Sequence, residues 1–451
     1  MSIKPYQDYK DCETTWLQRI PCHWVESQLR TCVEFIANGI TATQIEPGEE
    51  TVPVTRIETI STGRFNPEKM GHISREDADP RRRMRVGDIS FSNINSLSMI
   101  GNCAILETPI ELYAGMNLLH IRPASGCLPE WLAWSLKNSQ LREVVESRAK
   151  PAINQASISQ GSLKSIRIAI PPLDEQKKIS RFLQRETAKI DALIAEQQRL
   201  IELLQEKRQA VISHAVTKGL NPNAAMKDSG VEWLGEVPGH WEVLQLKRLN
   251  KEGTSITYGI VQAGPHIEGG VPYIRTSDMA GDILRLDTCQ CTSQEIDDAY
   301  ARSRVYEGDL VIAIRATVGK TLEVPSDLNG ANLTQGTAKF SPGSRASAQY
   351  IKAAFSSHYC QFQIGACSKG ATFMEITLDS LRRLAFAVPP LQEQKEIMVQ
   401  LNTECKALDD LILNSRMACE LLRERRSALI SAAVTGQIDV RGVVGVEAGV
   451  Q

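Results

Sequence analysis

Several residue types that usually carry out catalysis occur in this sequence, but their spacing matches no catalytic motif. Gly319-Lys320-Thr321 is similar to the end of a phosphate-binding loop, yet Ile314 stands where that loop needs its first glycine. No His-Glu-x-x-His pair for zinc and no Gly-x-Ser-x-Gly turn for a nucleophilic serine occurs. The two Pro-Pro pairs follow Ile170 and Val388, so neither forms the Asn/Asp-Pro-Pro-aromatic site of an amino-methyltransferase. The sequence predicts a protein that binds without catalysis, with no catalytic and no metal-binding residue of its own.

Composition narrows the class of protein further. The 451 residues are 42% hydrophobic and 23% charged, which is typical of a globular protein with more than one domain. The 11 cysteines include no Cys-x-x-Cys pair and are expected to be reduced thiols. No apolar run is long enough to cross a membrane, and the first residues do not form a signal peptide. These features predict a cytoplasmic protein that makes no contact with a membrane.

The chain contains an internal repeat that covers most of its length. Lys10 to Trp24 returns as Lys227 to Trp241, with matching Lys, Asp, Trp, Leu, Pro, His and Trp. The segment that begins Pro171-Pro172-Leu173 returns, 218 positions later, as Pro389-Pro390-Leu391. The residues between the matched blocks agree poorly. This pattern predicts one structural frame, present twice, that carries two inserts with different surfaces.

Each repeat ends in a segment that predicts one long helix. Leu173 to Thr217 contains no Gly or Pro, follows two prolines, and is followed by Gly219. A helix of this length extends roughly 65 Å and needs a long partner for its narrow apolar stripe. We expect the two helices to form an intramolecular coiled coil, with a homodimeric coiled coil as the alternative. The predicted seam consists of Ile179, Leu183, Ile190, Leu193 and Leu204 in the first helix, and Ile397, Leu401, Leu408, Leu411 and Leu422 in the second.

The inserts have a different pattern, in which short β-rich runs alternate with Gly and Pro. Val271–Arg275 and Asp309–Ile314 are examples, whereas 129–147 and 349–362 are each expected to form an amphipathic helix. Each insert is therefore predicted to be a mixed domain, and the fold class is α+β. His23 and His240, which recur beside Trp24 and Trp241, are expected to pack at the entrances of the inserts.

These repeated motifs resemble one known family over almost the whole chain. Trp-Leu-x-x-Ile/Val-Pro-x-His-Trp, a variable domain, and Pro-Pro-Leu-x-Glu-Gln-x-x-Ile before a long helix, all present twice, resemble the specificity subunit of type I restriction-modification systems. Tyr258-Gly259-Ile260 and the segment from Pro272 to Asp278 are also similar to the opening of such target-recognition domains. The first insert departs from this pattern, since Gly39-Ile40-Thr41 has no tyrosine.

The resemblance implies a division of labour among subunits. Two target-recognition domains would each read one half of a bipartite site in double-stranded DNA. The two helices, as an antiparallel coiled coil with pseudo-twofold symmetry, would set the spacer and dock two methyltransferase subunits. S-adenosylmethionine, ATP and Mg would bind to the partner subunits, which include the restriction and translocase subunits. The chain itself would have no cofactor.

The resemblance also implies domain boundaries along the chain. The segments are an N-terminal segment that packs on the end of the second helix (1–24), a first recognition domain (25–170), a central helix (171–218), a connector (219–241), a second recognition domain (242–388), a C-terminal helix (389–440) and a flexible tail (441–451).

Candidate DNA contacts follow from what side chains can do. Arginine can bind guanine, Asn and Gln can bind adenine, and Lys can contact phosphates. In the first insert the candidates are Arg81, Arg82, Arg83, Arg85, Asn93, Asn95, Lys150, Asn154 and Gln155. In the second insert they are Tyr258, Gln262, Arg275, Thr276, Arg315, Asn332, Gln335, Lys369 and Thr372.

Two other functions are compatible with parts of the pattern. A two-module scaffold or adaptor would bind proteins through its inserts, although unlike Gly/Asn/Arg-rich loops on equal frames favour DNA recognition. A fused restriction enzyme would need nuclease and methyltransferase motifs, which are not found. The net charge of −2 suggests that partner subunits supply much of the contact with DNA phosphates.

Overall fold

The computed structural model describes residues 3–97, 99–153, 155–368 and 374–443. The chain divides into two compact units, of which the first contains Met1–Gln197 and Met417–Gln451 and the second contains Gln198–Arg416. Each unit combines strands and helices, and the α+β prediction is confirmed.

The first unit is built from short strands and three short helices besides its parts of the long helices. Its strands are β1 (Tyr9–Asp11), β2 (Arg19–Pro21), β3 (Val25–Gln28), β4 (Val33–Asn38), β5 (Thr51–Val54), β6 (Gly71–Ser74), β7 (Ile89–Ser92), β8 (Ile94–Asn95), β9 (Cys103–Ile105), β10 (Leu118–Pro123), β11 (Lys150–Ala152), β12 (Gln155–Ser157) and β13 (Arg167–Ile170). Its short helices are α1 (Pro129–Leu136), α2 (Ser139–Arg148) and α3 (Gln160–Lys164).

An antiparallel sheet with the strand order β4-β10-β7-β9 forms the centre of the first unit. Phe91 of β7 and Ile121 of β10 are fully buried, together with Trp131 of α1. A second sheet, with the order β11-β12-β8, continues from the end of β7. The large apolar side chains of β7, β10 and α1 thus make one core that supports both sheets.

The chain continues into the long helix α4 (Leu173–Lys218) and then into the second unit. The strands of the second unit are β14 (Met226–Asp228), β15 (Glu236–Pro238), β16 (Glu242–Gln245), β17 (Thr257–Tyr258), β18 (Val271–Ile274), β19 (Gln290–Thr292), β20 (Leu310–Ala313), β21 (Thr321–Glu323), β22 (Asn332–Leu333), β23 (Thr337–Phe340) and β24 (Ala385–Val388). Its short helices are α5 (Gln294–Ala299), α6 (Ala348–Ser356), α7 (His358–Cys367) and α8 (Leu378–Arg383), and the last helix is α9 (Leu391–Val434).

The second unit repeats the sheet of the first. Its antiparallel sheet has the order β17-β23-β20-β21, and its core buries Phe340, Tyr350 and Phe386. A three-stranded sheet, β19-β18-β22, packs around a separate apolar cluster that contains Met279 and Val311.

The two amphipathic helices predicted in the inserts are both interrupted. In 129–147 the chain forms α1 and α2, because the Asn138 side chain caps α2 by accepting a hydrogen bond from the Gln140 N–H. In 349–362 it forms α6 and α7, which are separated by the extended Ser357. Each single predicted helix was therefore wrong, since extended backbone at Asn138 and Ser357 ends the first helix and begins the second.

The long helices begin at equivalent residues of the repeat and end within two residues of equivalent positions. Prolines 172 and 390 precede α4 and α9, and Gly219 and Gly436 follow them with φ of +73° and +74°. A Cβ atom at Gly436 would lie 2.4 Å from Pro21, and one at Gly219 would lie 3.1 Å from Trp241. Glycine is therefore required at both helix ends for conformation and for space.

One glutamate in each unit connects the two repeated motifs. Glu175, in the first turn of α4, accepts hydrogen bonds from Trp24 Nε1 at 3.0 Å and Tyr6 Oη at 3.0 Å, and lies 2.6 Å from His23 Nε2. Glu393, in the first turn of α9, accepts from Trp241 Nε1 at 3.1 Å and lies 2.7 Å from His240 Nε2. The His-Trp and Glu-Gln motifs recur together because they bind each other.

The glutamine beside each of these glutamates attaches the insert to its helix. Gln176 accepts a hydrogen bond from the Leu128 N–H at 2.8 Å and donates to the Pro171 carbonyl at 3.0 Å. Gln394 makes the equivalent bonds to the Ser347 N–H and the Pro389 carbonyl, both at 2.9 Å. Both glutamine side chains are buried, so each insert is held in a defined orientation on its helix.

The two helices run antiparallel within each unit. In the first unit Arg426 Nε lies 2.8 Å from Asp191 Oδ1. In the second unit Leu204 packs against Leu408 and Ile412. Residue numbers rise on one helix as they fall on the other, and the buried positions recur at alternating steps of three and four.

Eight of the ten predicted seam residues are buried or half-buried, and two are not. Leu193 and Leu411 are each 51% exposed. The inward positions beside them are Ile194 and Ile412, which satisfy the same spacing one residue later. The assignment of Leu193 and Leu411 to the seam was therefore wrong, because two adjacent apolar residues gave the pattern two possible registers.

The N-terminal segment of the first unit contacts the residues that follow α9. The Asp439 N–H donates to the Lys4 carbonyl at 2.8 Å, and the Tyr9 hydroxyl donates to the Gly436 carbonyl at 3.0 Å. Arg441 lies over the Tyr6 ring at 4.8 Å, so the first residue of the predicted flexible tail has a defined place. The remainder of that tail, from 444 onwards, lies outside the described residues.

Candidate nucleic-acid interface

In the first unit, polar side chains collect at one end of the central sheet. Strands β4 and β7 finish there and β10 begins there, because β10 is antiparallel to both. Asn38, Asn93 and Asn117 lie at these three strand ends. They line a groove of about 590 Å³ with Lys150 and Arg148. We call this surface the first reading face.

A tight backbone approach forms the floor of this face. Gly39 has no room for a side chain, because a Cβ atom there would lie 1.9 Å from the Gly115 carbonyl oxygen. The Ile40 N–H donates to the Ala114 carbonyl at 2.7 Å. Asn117 adopts a φ of +64°, a conformation that asparagine tolerates better than most residues. These contacts fix the backbone beneath the asparagine side chains.

The small sheet β11-β12-β8 forms one wall of the first reading face. Lys150 lies opposite Ser157, which in turn lies opposite Ile94, and Gln155 lies exposed at the start of β12. The sheet is anchored by the Ile158 N–H, which donates to the Asn93 carbonyl at 2.9 Å. The structure thus brings the predicted Asn93, Asn95, Lys150 and Gln155 to one place. Asn154 lies outside the described residues.

The predicted arginines of the first insert are spread over a wider surface. Arg82 reaches the first reading face, since its Nε donates to the Asn38 carbonyl at 2.7 Å. Arg81 is paired with Asp79, and Arg83 lies exposed beside Tyr113. Arg85 precedes β7 and therefore lies at the opposite end of the sheet from the first reading face, and its contact with DNA stays a prediction.

The second unit places side chains at the equivalent sheet end, which we call the second reading face. Strands β17 and β20 finish there, and β23 begins there. Tyr258, which is 38% exposed, Arg315 and Gln335 lie at these strand ends, and Thr276 contacts the same end by donating to the Gly336 carbonyl.

The floor of the second reading face matches that of the first. A Cβ atom at Gly259 would lie 2.0 Å from the Leu333 carbonyl oxygen, and the Ile260 N–H donates to that carbonyl at 2.7 Å. Gln335 N–H donates back to the Ile260 carbonyl at 3.0 Å. Gln262 follows this floor in an exposed loop. The two faces therefore share a backbone but carry different side chains.

Two candidates of the second insert bind partners inside the unit. Asn332 is fully buried, and its amide donates to Asp297 at 2.6 Å while its oxygen accepts from the Ser303 hydroxyl at 2.7 Å. The Arg275 guanidinium binds both carboxylate oxygens of Asp278, at 2.7 and 3.0 Å. The assignment of Asn332 to DNA was wrong, because its amide is buried and satisfied by internal partners. The assignment of Arg275, whose side chain is 34% exposed, stays a prediction. Lys369 and Thr372 lie outside the described residues.

Five residues named on the two faces were missed by the analysis of the sequence, and the first of them is Asn38. Asn117 and Arg148 line the first groove, Gln160 lies beside Asn38, and Glu375 pairs with Arg315. The repeat could have indicated Asn117, because it stands directly before β10 where Gly336 stands directly before the equivalent strand β23. Glu375 could be found only from the fold, because sixty residues separate it from Arg315.

A buried ion-pair network supports the first sheet. Asp88 accepts hydrogen bonds from Arg122 at 2.7 and 2.9 Å and lies 2.8 Å from His120 Nε2. Burial by itself would raise the pKa of the Asp88 carboxyl, but the hydrogen bonds from His120 and Arg122 outweigh it and lower that pKa. The network stiffens the strands whose ends carry the first reading face.

Neither face resembles a catalytic or metal centre. Within the described residues no group of three or more His, Cys, Asp or Glu side chains could hold a metal ion. In the same residues no helix is long and apolar enough to span a membrane. What the two faces offer is hydrogen-bonding side chains on rigid strand ends.

The chain is similar to known proteins over almost its whole length. Residues 21–203 and 242–411 match the family described as Type I restriction modification DNA specificity domain, in two copies. The putative MjaX specificity subunit of Methanocaldococcus jannaschii is 31% identical, with 96% of this chain and 99% of the relative covered. The EcoKI specificity subunit of Escherichia coli K12 is 23% identical, with 93% and 90% covered.

Solved structures share the fold. A chain from a type I R-M system superposes with a TM-score of 0.70 at 16% identity and covers 93% of this chain and 99% of its own length. The HsdS subunit from Thermoanaerobacter tengcongensis superposes with a TM-score of 0.52, also at 16% identity, with 93% and 98% covered. The predicted family is thus confirmed, and the chain belongs to the non-catalytic DNA specificity subunits of type I restriction-modification systems.

Proposed function

We propose that each reading face contacts one half of a bipartite site in double-stranded DNA. One observation carries this proposal: the two units build the same sheet end on the same backbone but equip it with different side chains. Asparagine dominates the first face, whereas Tyr258, Gln335 and Arg315 form the second. Amide and guanidinium groups on fixed strand ends are suited to base edges in the major groove. A protein-binding scaffold is not favoured, since the relatives are specificity subunits.

Substitutions confined to one face test this proposal. In the assembled complex, Gln155→Ala should weaken discrimination in one half-site, and Gln335→Ala should weaken it in the other. The measurement is selection of bound duplexes from a pool in which both half-sites are randomised. Gln205→Ala, on an exposed position of α4, is the control and should leave the selected sequence unchanged. If either face variant altered both half-sites, the assignment of one face to one half-site would be incorrect.

We further propose that α4 and α9 form an antiparallel coiled coil related by a pseudo-twofold axis. The sequence repeat, the antiparallel pairing inside each unit and the alternating steps of three and four support this arrangement. A pseudo-twofold protein presents its two faces to half-sites at a separation that its frame determines. The coiled coil would then set the spacer of the DNA target.

The exposed leucines of the long helices support docking of two methyltransferase subunits. Leu193 and Leu411 are repeat equivalents and are both 51% exposed; Leu203 and Leu421 are also equivalents, with 45% and 62% exposed. A patch of exposed leucines on a helix is typical of a surface that binds another protein. Two equivalent apolar patches fit two copies of one partner.

S-adenosylmethionine, ATP and Mg would bind to the methyltransferase, restriction and translocase subunits. The eleven free thiols of this chain are compatible with a cytoplasmic location.

A further inference from the structure

A cross-strand pair lies on the second reading face with a chemistry that the first face lacks. Arg315 follows β20 by two residues and lies opposite Glu375 in an antiparallel bridge. Arg315 Nη2 lies 3.0 Å from Glu375 Oε1. Both side chains are close to half exposed, at 43% and 47%. The pair is therefore accessible from outside the protein and is oriented by its own ion pair.

Backbone hydrogen bonds to two neighbouring segments fix the chain beneath the pair. The neighbouring Ile314 and Ile376 are buried, and the Ile376 N–H donates to the Ile314 carbonyl at 3.0 Å. The Ile314 N–H donates to Gly336, which begins the approach to β23. Because side chains alternate along extended backbone, buried isoleucines force Arg315 and Glu375 outward. A rigid base of this kind is what sequence discrimination needs.

The charges of the pair favour a contact with a base edge over a contact with the DNA phosphates. A carboxylate beside a phosphate is repelled, so a surface that binds only the DNA backbone gains nothing from Glu375. At a base edge the same carboxylate is useful, because it accepts from the cytosine amino group, while arginine donates to O6 and N7 of guanine. Arg315 Nε is enclosed and donates no hydrogen bond within the described residues, but the side chain as a whole is 43% exposed and presents its terminal N–H groups to a ligand.

The equivalent pair of the first unit is uncharged. Ile94 lies opposite Ser157, and the Ile158 N–H donates to the Asn93 carbonyl exactly where Ile376 donates to Ile314 in the second unit. Ile94 and Ser157 are both half-buried. The backbone position is thus constant between the units, while its side chains change from an ion pair to an apolar residue and a hydroxyl.

We propose that Arg315 and Glu375 together read one G·C base pair in the half-site bound by the second unit. In the first unit Ile94 and Ser157 occupy the same reading position and would favour the methyl group of thymine. This inference rests on the proposed function, since it assumes that the reading faces contact DNA. It adds a specific base pair and a pair of residues that act as one recognition element.

The test is Arg315→Ala and Arg315→Lys in the assembled complex, with selection of bound duplexes from a randomised pool. At one position of one half-site, preference for guanine should fall by roughly 5- to 150-fold in Arg315→Ala. Arg315→Lys should keep only part of the preference, because an ammonium lacks the planar fork of arginine. Arg383→Ala is the matched control, since Arg383 is an exposed arginine of the same unit paired with Asp379. A uniform loss of affinity with unchanged preference at every position would overturn the proposal in favour of a phosphate contact.

A transfer experiment provides an independent readout. Ile94→Arg combined with Ser157→Glu should create a new guanine preference at the equivalent position of the first half-site. Circular dichroism of this variant checks that the first unit remains folded, and a folded variant with no new preference would contradict the reading position. If the unmodified complex selected no sequence at all, the proposed function would fail, whereas selection that ignores Arg315 would refute only this inference.

Discussion

Single glutamates hold the two repeated motifs of each unit together. Glu175 satisfies the buried donors of Trp24 and Tyr6 and contacts His23, whereas Glu393 binds Trp241 and His240 among the residues that the structure describes. The motifs were predicted from the repeat, and the histidines were expected only to pack. Their hydrogen bonds could not be predicted, because the partners lie more than 150 residues apart and meet only in the fold.

Glu175→Ala should destabilise the first unit by about 3 kcal/mol, because it leaves buried donors without an acceptor. Glu393→Ala should cost less in the second unit, since Glu393 has fewer partners and a side chain that is 25% exposed against 9% for Glu175. Urea unfolding followed by tryptophan fluorescence measures both. A larger loss for Glu393→Ala than for Glu175→Ala would contradict this ranking.

The lowered pKa of Asp88 predicts a pH dependence of stability. A carboxyl whose pKa is lower in the folded state stabilises that state above its unfolded pKa of about 4, and this stabilisation is lost as the pH falls through the folded pKa. Asp88→Asn should therefore lower stability near pH 7 by about 3 kcal/mol and by less below pH 4. Urea unfolding at both pH values gives the comparison. Asp77→Asn, an exposed control, should show no such difference, and an equal loss for Asp88→Asn at both pH values would count against the network.

The reading faces show the limit of inference from residue type. Asn93, Asn95, Lys150 and Gln155 were predicted individually, and the fold brings them together. Asn332 had the same chemistry but binds Asp297 inside the core. Sequence alone cannot separate these cases, because whether an amide faces solvent or an internal partner depends on the sheet register.

The long helices carry both buried and exposed leucines. Leu204 is 9% exposed and packs inside the second unit, whereas Leu193 is 51% exposed. The existence and starts of both helices followed from their prolines, and the end of α4 followed from Gly219. The C-terminal helix predicted over 389–440 was too long, since α9 ends at Val434 and Gly436 follows with a positive φ. The facing positions of the two helices did not follow from the sequence, because polar residues such as Thr187 and Gln197 occupy inward positions and adjacent leucines occupy outward ones.

Substitution of a buried leucine should change stability, whereas substitution of an exposed leucine should change partner binding. Leu204→Asp should destabilise the second unit by several kcal/mol, because it places an unpaired carboxylate in an apolar contact. Leu193→Asp should leave unfolding unchanged and abolish or weaken co-purification of the methyltransferase subunit. Urea unfolding and affinity purification distinguish the outcomes. A Leu193→Asp chain that is stable and retains its partner at the normal ratio would show that the docking surface lies elsewhere.

The whole chain presents one frame twice with two different reading faces. If the proposed coiled coil sets the spacer, a complete heptad added to both helices should lengthen it. Seven residues inserted after Gln197 and seven after Arg416 preserve the pattern of inward positions and add about 10 Å. The spacer should then grow by about three base pairs, at about 3.4 Å each. Methylation mapping measures the spacer, and an unchanged length in an active complex would refute the role of the helices as a ruler.

The most direct test of the account is exchange of residues 25–170 for the corresponding segment of a family member with a different target. The measurement is genome-wide mapping of methylated sites by the complex that carries the exchanged chain. Because the frame residues Glu175 and Gln176 remain in place, the new domain should seat on the same helix. We predict that one half-site changes to that of the donor, while the other half-site and the spacer stay the same. Alteration of both half-sites would contradict the claim that each face reads its own half.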